Sequence, residues 1–173
     1  MMKRMIPYKA LKLLNVSILS TLLILPFTLA QAGQIKVVWN DFDEYTDVRP
    51  SNETKGSFHK RVKKYLEKYF AELEQQLPEN YQLQLIIKDV DLAGDVRYGM
   101  QDLRIIKRIH FPKFNLDYKL LDANGNIVSQ DSKRIKDMTF LDGIHSRSKD
   151  RINFYYEKKL LEDWFNKDLV AKL

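Results

Sequence analysis

The 173-residue chain contains no cysteine. That absence removes disulfide bridges, thiolate metal sites, cysteine nucleophiles and a lipid anchor on a processed N-terminal cysteine. HExxH, GxSxG and a phosphate-binding glycine loop are missing as well, so no zinc-protease, serine-hydrolase or nucleotide-binding motif is present. Only three histidines occur, His59, His110 and His145, and they fall on a helix, a strand end and a loop. A triad built in space from His110 or His145 with a serine stays open, although isolated histidines more often serve structure. There is no internal repeat and no low-complexity tract.

Long apolar runs are also lacking, with one exception. Lys3, Arg4, Lys9 and Lys12 precede an apolar stretch from Leu13 to Leu25, Pro26 breaks it, and Ala30-Gln31-Ala32 follows. This is the pattern of a cleavable secretory signal peptide over residues 1–32, with cleavage after Ala32. A spanning helix needs roughly 20 mainly apolar residues, whereas Asn15, Ser17, Ser20 and Thr21 interrupt this run. The expected product is a periplasmic protein over 33–173, exported, without a lipid anchor and without a transmembrane span in the mature chain.

Removing the signal changes the charge. The chain has 29 Lys+Arg and 23 Asp+Glu, and four of the basic residues lie before Gly33. The mature part therefore has 25 against 23, a net charge of +2, which argues against nucleic acid as the partner. What remains is the length of one ordinary domain.

Gln34 to Trp39 reads as a strand, followed by a long polar loop to Gly56. Ser57 is placed to cap a helix in which Phe58, Val62, Tyr65, Leu66, Tyr69, Phe70, Leu73 and Leu77 recur at three- and four-residue spacing, before Pro78. Leu83, Leu85 and Ile87 alternate with Gln82, Gln84 and Ile86, which predicts a strand. DVRYGMQ interrupts, LRIIKRIHF resumes as a second strand, and Pro112 separates it from KFNLDYKLL. Asn124-Gly125 is a hairpin signal joining strands near 113–121 and 127–136. Phe154, Leu161, Trp164, Phe165 and Leu169 line one side of a closing helix. The expected fold is α+β, a single domain with a long N-terminal helix and a C-terminal helix packed on one face of a largely antiparallel sheet of about five strands.

Several blocks, in order, resemble the bacterial secreted proteins grouped as domain of unknown function 3016: YTDVRPS (Tyr45 to Ser51), DVDLAG (Asp89 to Gly94), LLDANGN (Leu120 to Asn126), KDMTFLD (Lys136 to Asp142) and YEKKLLEDWF (Tyr156 to Phe165). The resemblance implies a single-domain protein exported to a Gram-negative envelope. It brings no reaction, ligand or site residue with it.

Among constellations that could carry chemistry, the acidic run Asp41, Asp43, Glu44, Asp47 fails the twelve-residue calcium pattern, because Asn52 stands where the bidentate Glu belongs. A start at Asp89 places Gly94 correctly but leaves Ala93 and Met100 at ligand positions. No metal or other cofactor is therefore expected. Lys55, His59, Lys60, Arg61, Lys63 and Lys64 crowd the first turns of the long helix, where cations oppose the helix dipole. Either an anion sits there, centred on Lys60, Arg61 and Lys64, or the acidic loop Asp41 to Asp47 folds back over the cations, or they are simply solvated. The leading functional expectation is a soluble periplasmic binding or accessory protein that meets an envelope partner or anionic ligand. The alternatives are an envelope hydrolase drawing a carboxylate acid/base pair from Asp89, Asp91 and Glu157, and a structural oligomer.

Overall fold

The computed structural model of the chain describes residues 32–142 and 153–173; residues 1–31 of the expected signal peptide and His145 lie outside them. The domain is α+β. Strand β1 (Gln34–Trp39) leads through a loop into helix α1 (Lys55–Glu74), then β2 (Gln82–Asp91), the short pair β3 (Asp95–Arg97) and β4 (Leu103–Ile105), β5 (Lys113–Leu121), β6 (Ile127–Lys136) and helix α2 (Tyr155–Trp164). The chain then continues as a π-helical turn, Phe165–Leu169, and a 3-10 turn, Val170–Lys172.

The sheet corrects the expected one in two ways. It is a mixed four-stranded sheet in the order β1-β2-β5-β6, with a separate two-stranded sheet β3-β4. β1 and β2 run parallel, Val37 opposite Leu85, because α1 carries the chain back to the end from which β1 started. Only Leu103–Ile105 of the expected LRIIKRIHF strand is extended. Its partner Asp95–Arg97 comes from the segment read as an interruption. A turn closed by His110 N–H on Lys107 O ends that stretch, and Gly94 N–H donates to His110 O at 2.8 Å.

Helix α1 starts three residues before the expected cap, at Thr54, whose hydroxyl accepts from Ser57 N–H at 3.3 Å. Its apolar stripe, Phe58, Val62, Leu66, Tyr69, Phe70 and Leu73, is buried. Trp164 and Phe165 are buried in the same cluster, together with Leu83, Leu85 and Ile87 of β2 and Phe114, Leu116 and Leu120 of β5. Both helices thus cover the side of the sheet to which these alternate residues point. The β5–β6 hairpin turns at Asn124-Gly125, with Gly125 at φ +82°. Asp122 closes it by accepting from the N–H groups of Asn124 and Asn126.

Candidate functional site

Three regions bring charged side chains together. The first lies at the end of β2. Asp47 forms an isolated bridge with Asp91 and is itself buried. Its carboxylate accepts from both terminal nitrogens of Arg104, at 2.9 and 3.1 Å, and from Arg49 Nε at 2.9 Å. Arg104 also donates to the carbonyl oxygens of Gly94 and Arg49. Burial by itself would raise the Asp47 carboxyl, but the two guanidinium groups hold it below the usual aspartate range. Beside this pair, Ala93 N–H donates to Oε1 of Glu157 at 2.7 Å. Glu157 is only 3% exposed, and removal from water pushes its pKa above the ordinary 4.5. A cleft of about 200 Å³ adjoins these groups, lined by Phe58, Arg61, Arg104, Phe154 and Glu157 among others.

The carboxylates considered for acid/base work are each held by the protein. Asp89 accepts from Thr46 N–H and hydroxyl at 2.7 and 2.8 Å. Asp91 pairs with Lys113 at 2.5 Å. This region is a polar knot joining the loop after β1, the β2–β3 turn, β4 and α2, and its hydrogen bonds run inward.

The second region is the start of α1. The acidic loop does reach it: Asp43 pairs with Lys55 at 2.8 Å and lies 3.6 Å from His59. Asp41 instead caps a short turn by accepting from Asp43 N–H. His59 contacts Val48 O at 3.0 Å and its ring lies beside that of Phe42. Of the three cations singled out from the sequence, Arg61 is engaged within the chain. It pairs with Glu53, donates to Asn153 Oδ1 at 3.2 Å, and stands over the rings of Phe58 and Phe154. Lys60 and Lys64 are exposed and make no ion pair among the described residues.

The third region is the side of the sheet away from the helices. Here Lys36, Gln84, Lys119 and Gln130 form one row across the four strands, and Val38, Ile86, Asp117 and Ser132 form the next. They line a depression of about 560 Å³. Val38, on the edge strand β1, is 58% exposed and Ile86, beside it on β2, 42%. Asp117 is neutralised by Lys88 at 2.6 Å and bonded by the Ser132 hydroxyl, which together hold its pKa low. Lys36 and Lys119 make no ion pair among the described residues. With strands about 4.8 Å apart, the two ammonium groups stem from positions about 10 Å apart across Gln84. The arrangement offers two cations, amide donors and an exposed apolar pair to one flat partner.

Sequence reasoning passed over this face. The available signal was Ile86, an apolar side chain at the polar parity of β2, matched by Val38 on β1. Glu157 also left a trace, since it stands four residues before Leu161 and seven before Trp164, on the buried stripe of α2.

The fold and these surfaces define an α+β domain whose mixed sheet is covered by helices on one side. Over residues 33–167 the chain matches the family described as protein of unknown function (DUF3016), and it belongs to that family. No curated protein and no solved structure matches the chain.

Proposed function

We propose that this is a soluble periplasmic binding or accessory protein of the cell envelope, and that it meets its partner with the uncovered face of the sheet. The observation that supports this reading is the exposed pair Val38 and Ile86, flanked by Lys36 and Lys119. Exposed apolar side chains set beside polar ones are the usual composition of a protein contact surface, and two cations without an ion pair among the described residues favour an acidic partner. Export rests on the leader: N-terminal sequencing of periplasmic material should begin GQIKVVW, and an intact Met1 in the membrane fraction would refute it.

The surface itself is tested by a photoreactive residue at position 86. It should yield discrete adducts in cells, lost when Lys36 and Lys119 are both changed to Glu. The same group at the exposed Lys68 on α1 should yield none. Equal labelling at both positions would overturn the reading, and adducts of twice the chain's mass would point to the oligomeric alternative. The hydrolase alternative draws support from the raised Glu157 beside its cleft. Asp89 and Asp91, already held by Thr46 and Lys113, are poorly placed to act as its second carboxylate.

A further inference from the structure

Strand β4 turns its charged residue inward and its apolar residues outward. Arg104, at its middle, reaches the buried Asp47 at 2.9 Å. Leu103 and Ile105 therefore share the opposite side of the strand, and both are exposed. They are part of a larger group. Of the twelve large apolar side chains exposed among the described residues, six fall between 98 and 109: Tyr98, Met100, Leu103, Ile105, Ile106 and Ile109. Pairing sets them along one hairpin. Leu103 stands opposite Arg97 and Ile105 opposite Asp95, Tyr98 and Met100 lie in the connection at the far end, and the bond from Gly94 N–H to His110 O holds the following turn, with Ile109, at the base. Apolar residues exposed singly are ordinary, but a concentration of them marks a contact surface.

Shape and charge indicate what it contacts. The hairpin projects: Met100 is fully exposed, Ile109 75% and Tyr98 65%, and neither of the hollows described above is lined by Tyr98, Met100, Leu103, Ile105 or Ile109. A rigid protein partner would need a pocket to receive such a tip, whereas a bilayer interface takes in projecting aliphatic side chains wherever they meet it and holds Tyr at the level of the headgroups. Strands of three residues each are too short to span a membrane, so the contact is with its surface. Arg97 and Lys107 flank the apolar residues, exposed and without an ion pair among the described residues. The two acids of the hairpin are occupied, Asp95 by Arg49 and Asp102 by Gly99 N–H. Free cations beside an apolar tip complement anionic lipid headgroups.

We propose that the β3–β4 hairpin and the turn after it dock on a phospholipid bilayer carrying anionic headgroups, with Tyr98, Met100 and Ile109 in the interface and Arg97 and Lys107 against the headgroups. The inference is independent of the open-face reading, which the label at position 86 tests separately.

The test uses the protein without residues 1–32, whose apolar run would itself enter lipid; every strand, helix and core residue described above lies beyond them. Vesicles of phosphatidylglycerol and phosphatidylcholine in equal parts should carry the protein down on sedimentation, and phosphatidylcholine alone should bind it at least about tenfold more weakly. Met100→Asp and Ile109→Asp should each lower affinity for the mixed vesicles about tenfold or more with the melting temperature unchanged, since both side chains stand in water. Arg97→Glu/Lys107→Glu should remove the preference for the anionic lipid. Because the chain has no cysteine, Met100→Cys carries an environment-sensitive fluorophore at that position alone. Its emission should shift to the blue on the mixed vesicles, and the same label in Lys68→Cys on α1 should not respond. The proposal is overturned if the protein stays in the supernatant, if either aspartate variant binds as wild type does, or if the double variant keeps the lipid preference. It is equally overturned if the label at position 100 stays in water while the protein sediments, or shifts with rising protein concentration in the absence of lipid, since the hairpin would then be an interface between copies.

Discussion

At the scale of single residues, two buried carboxyl groups a short distance apart respond to pH with opposite sign. Asp47 is held ionised by Arg104 and Arg49, so its contribution to stability is present above its unfolded value of 3.8 and is lost as pH falls through the lower folded value. Burial raises the pKa of Glu157 above its ordinary 4.5. Its contribution is complete below 4.5 and is lost as pH rises through the raised folded value, because the unfolded chain releases that proton more readily. Glu157→Gln keeps an oxygen for Ala93 N–H but carries no proton to lose. Its melting temperature relative to wild type should therefore climb as pH rises above 4.5. A difference that stays constant as pH rises would overturn the raised pKa of Glu157. Glu157→Ala should cost about 1–3 kcal/mol below pH 4.5 by stranding the Ala93 N–H, and less as pH rises.

At the scale of elements, the turns decide where the strands can go, and two glycines show how. Gly125 and Gly94 both have φ above +80°, a region that costs other residues about 1–2 kcal/mol. At Gly125 a methyl group would meet nothing within 4 Å, whereas at Gly94 it would stand 2.7 Å from Ile105 O and 2.8 Å from Ile106 Cδ1. Gly125→Ala should thus cost only the conformational penalty, about 1–2 kcal/mol, and Gly94→Ala distinctly more, because β4 must move. Urea unfolding of the two variants measures this, and equal losses would contradict the close approach of β4. Helix α1 shows the same dependence on a neighbouring loop. Its N-terminal cations oppose the dipole, and Asp43 offsets part of that by pairing with Lys55.

At the scale of the whole molecule, the sheet has a buried side and an open side, and substitutions should sort accordingly. Phe70→Ala in the core should cost about 3–5 kcal/mol, a large part of a domain's stability of about 5–15 kcal/mol. Ile86→Lys on the open face should cost about 1 kcal/mol or less while abolishing any contact made through that face. If Ile86→Lys unfolded the protein as readily as Phe70→Ala, the face would have to be covered.

Local sequence pattern by itself determined the apolar stripe of α1, the inward residues of β2 and the hairpin at Asn124-Gly125, because each depends on neighbours within a few residues, and the order of these elements determined the α+β class. The parallel β1–β2 pair, the small β3–β4 sheet and the Asp47–Arg104 pair were decided only in three dimensions. Asp47 looked like one acid among several in a polar loop until folding brought an arginine 57 residues away into its reach. The open face was likewise settled by tertiary structure. Alternation tells which residues share a side of a strand, but two helices could have covered both sides of the sheet, and it is their packing into one common cluster that leaves Lys36, Val38, Ile86 and Lys119 in water.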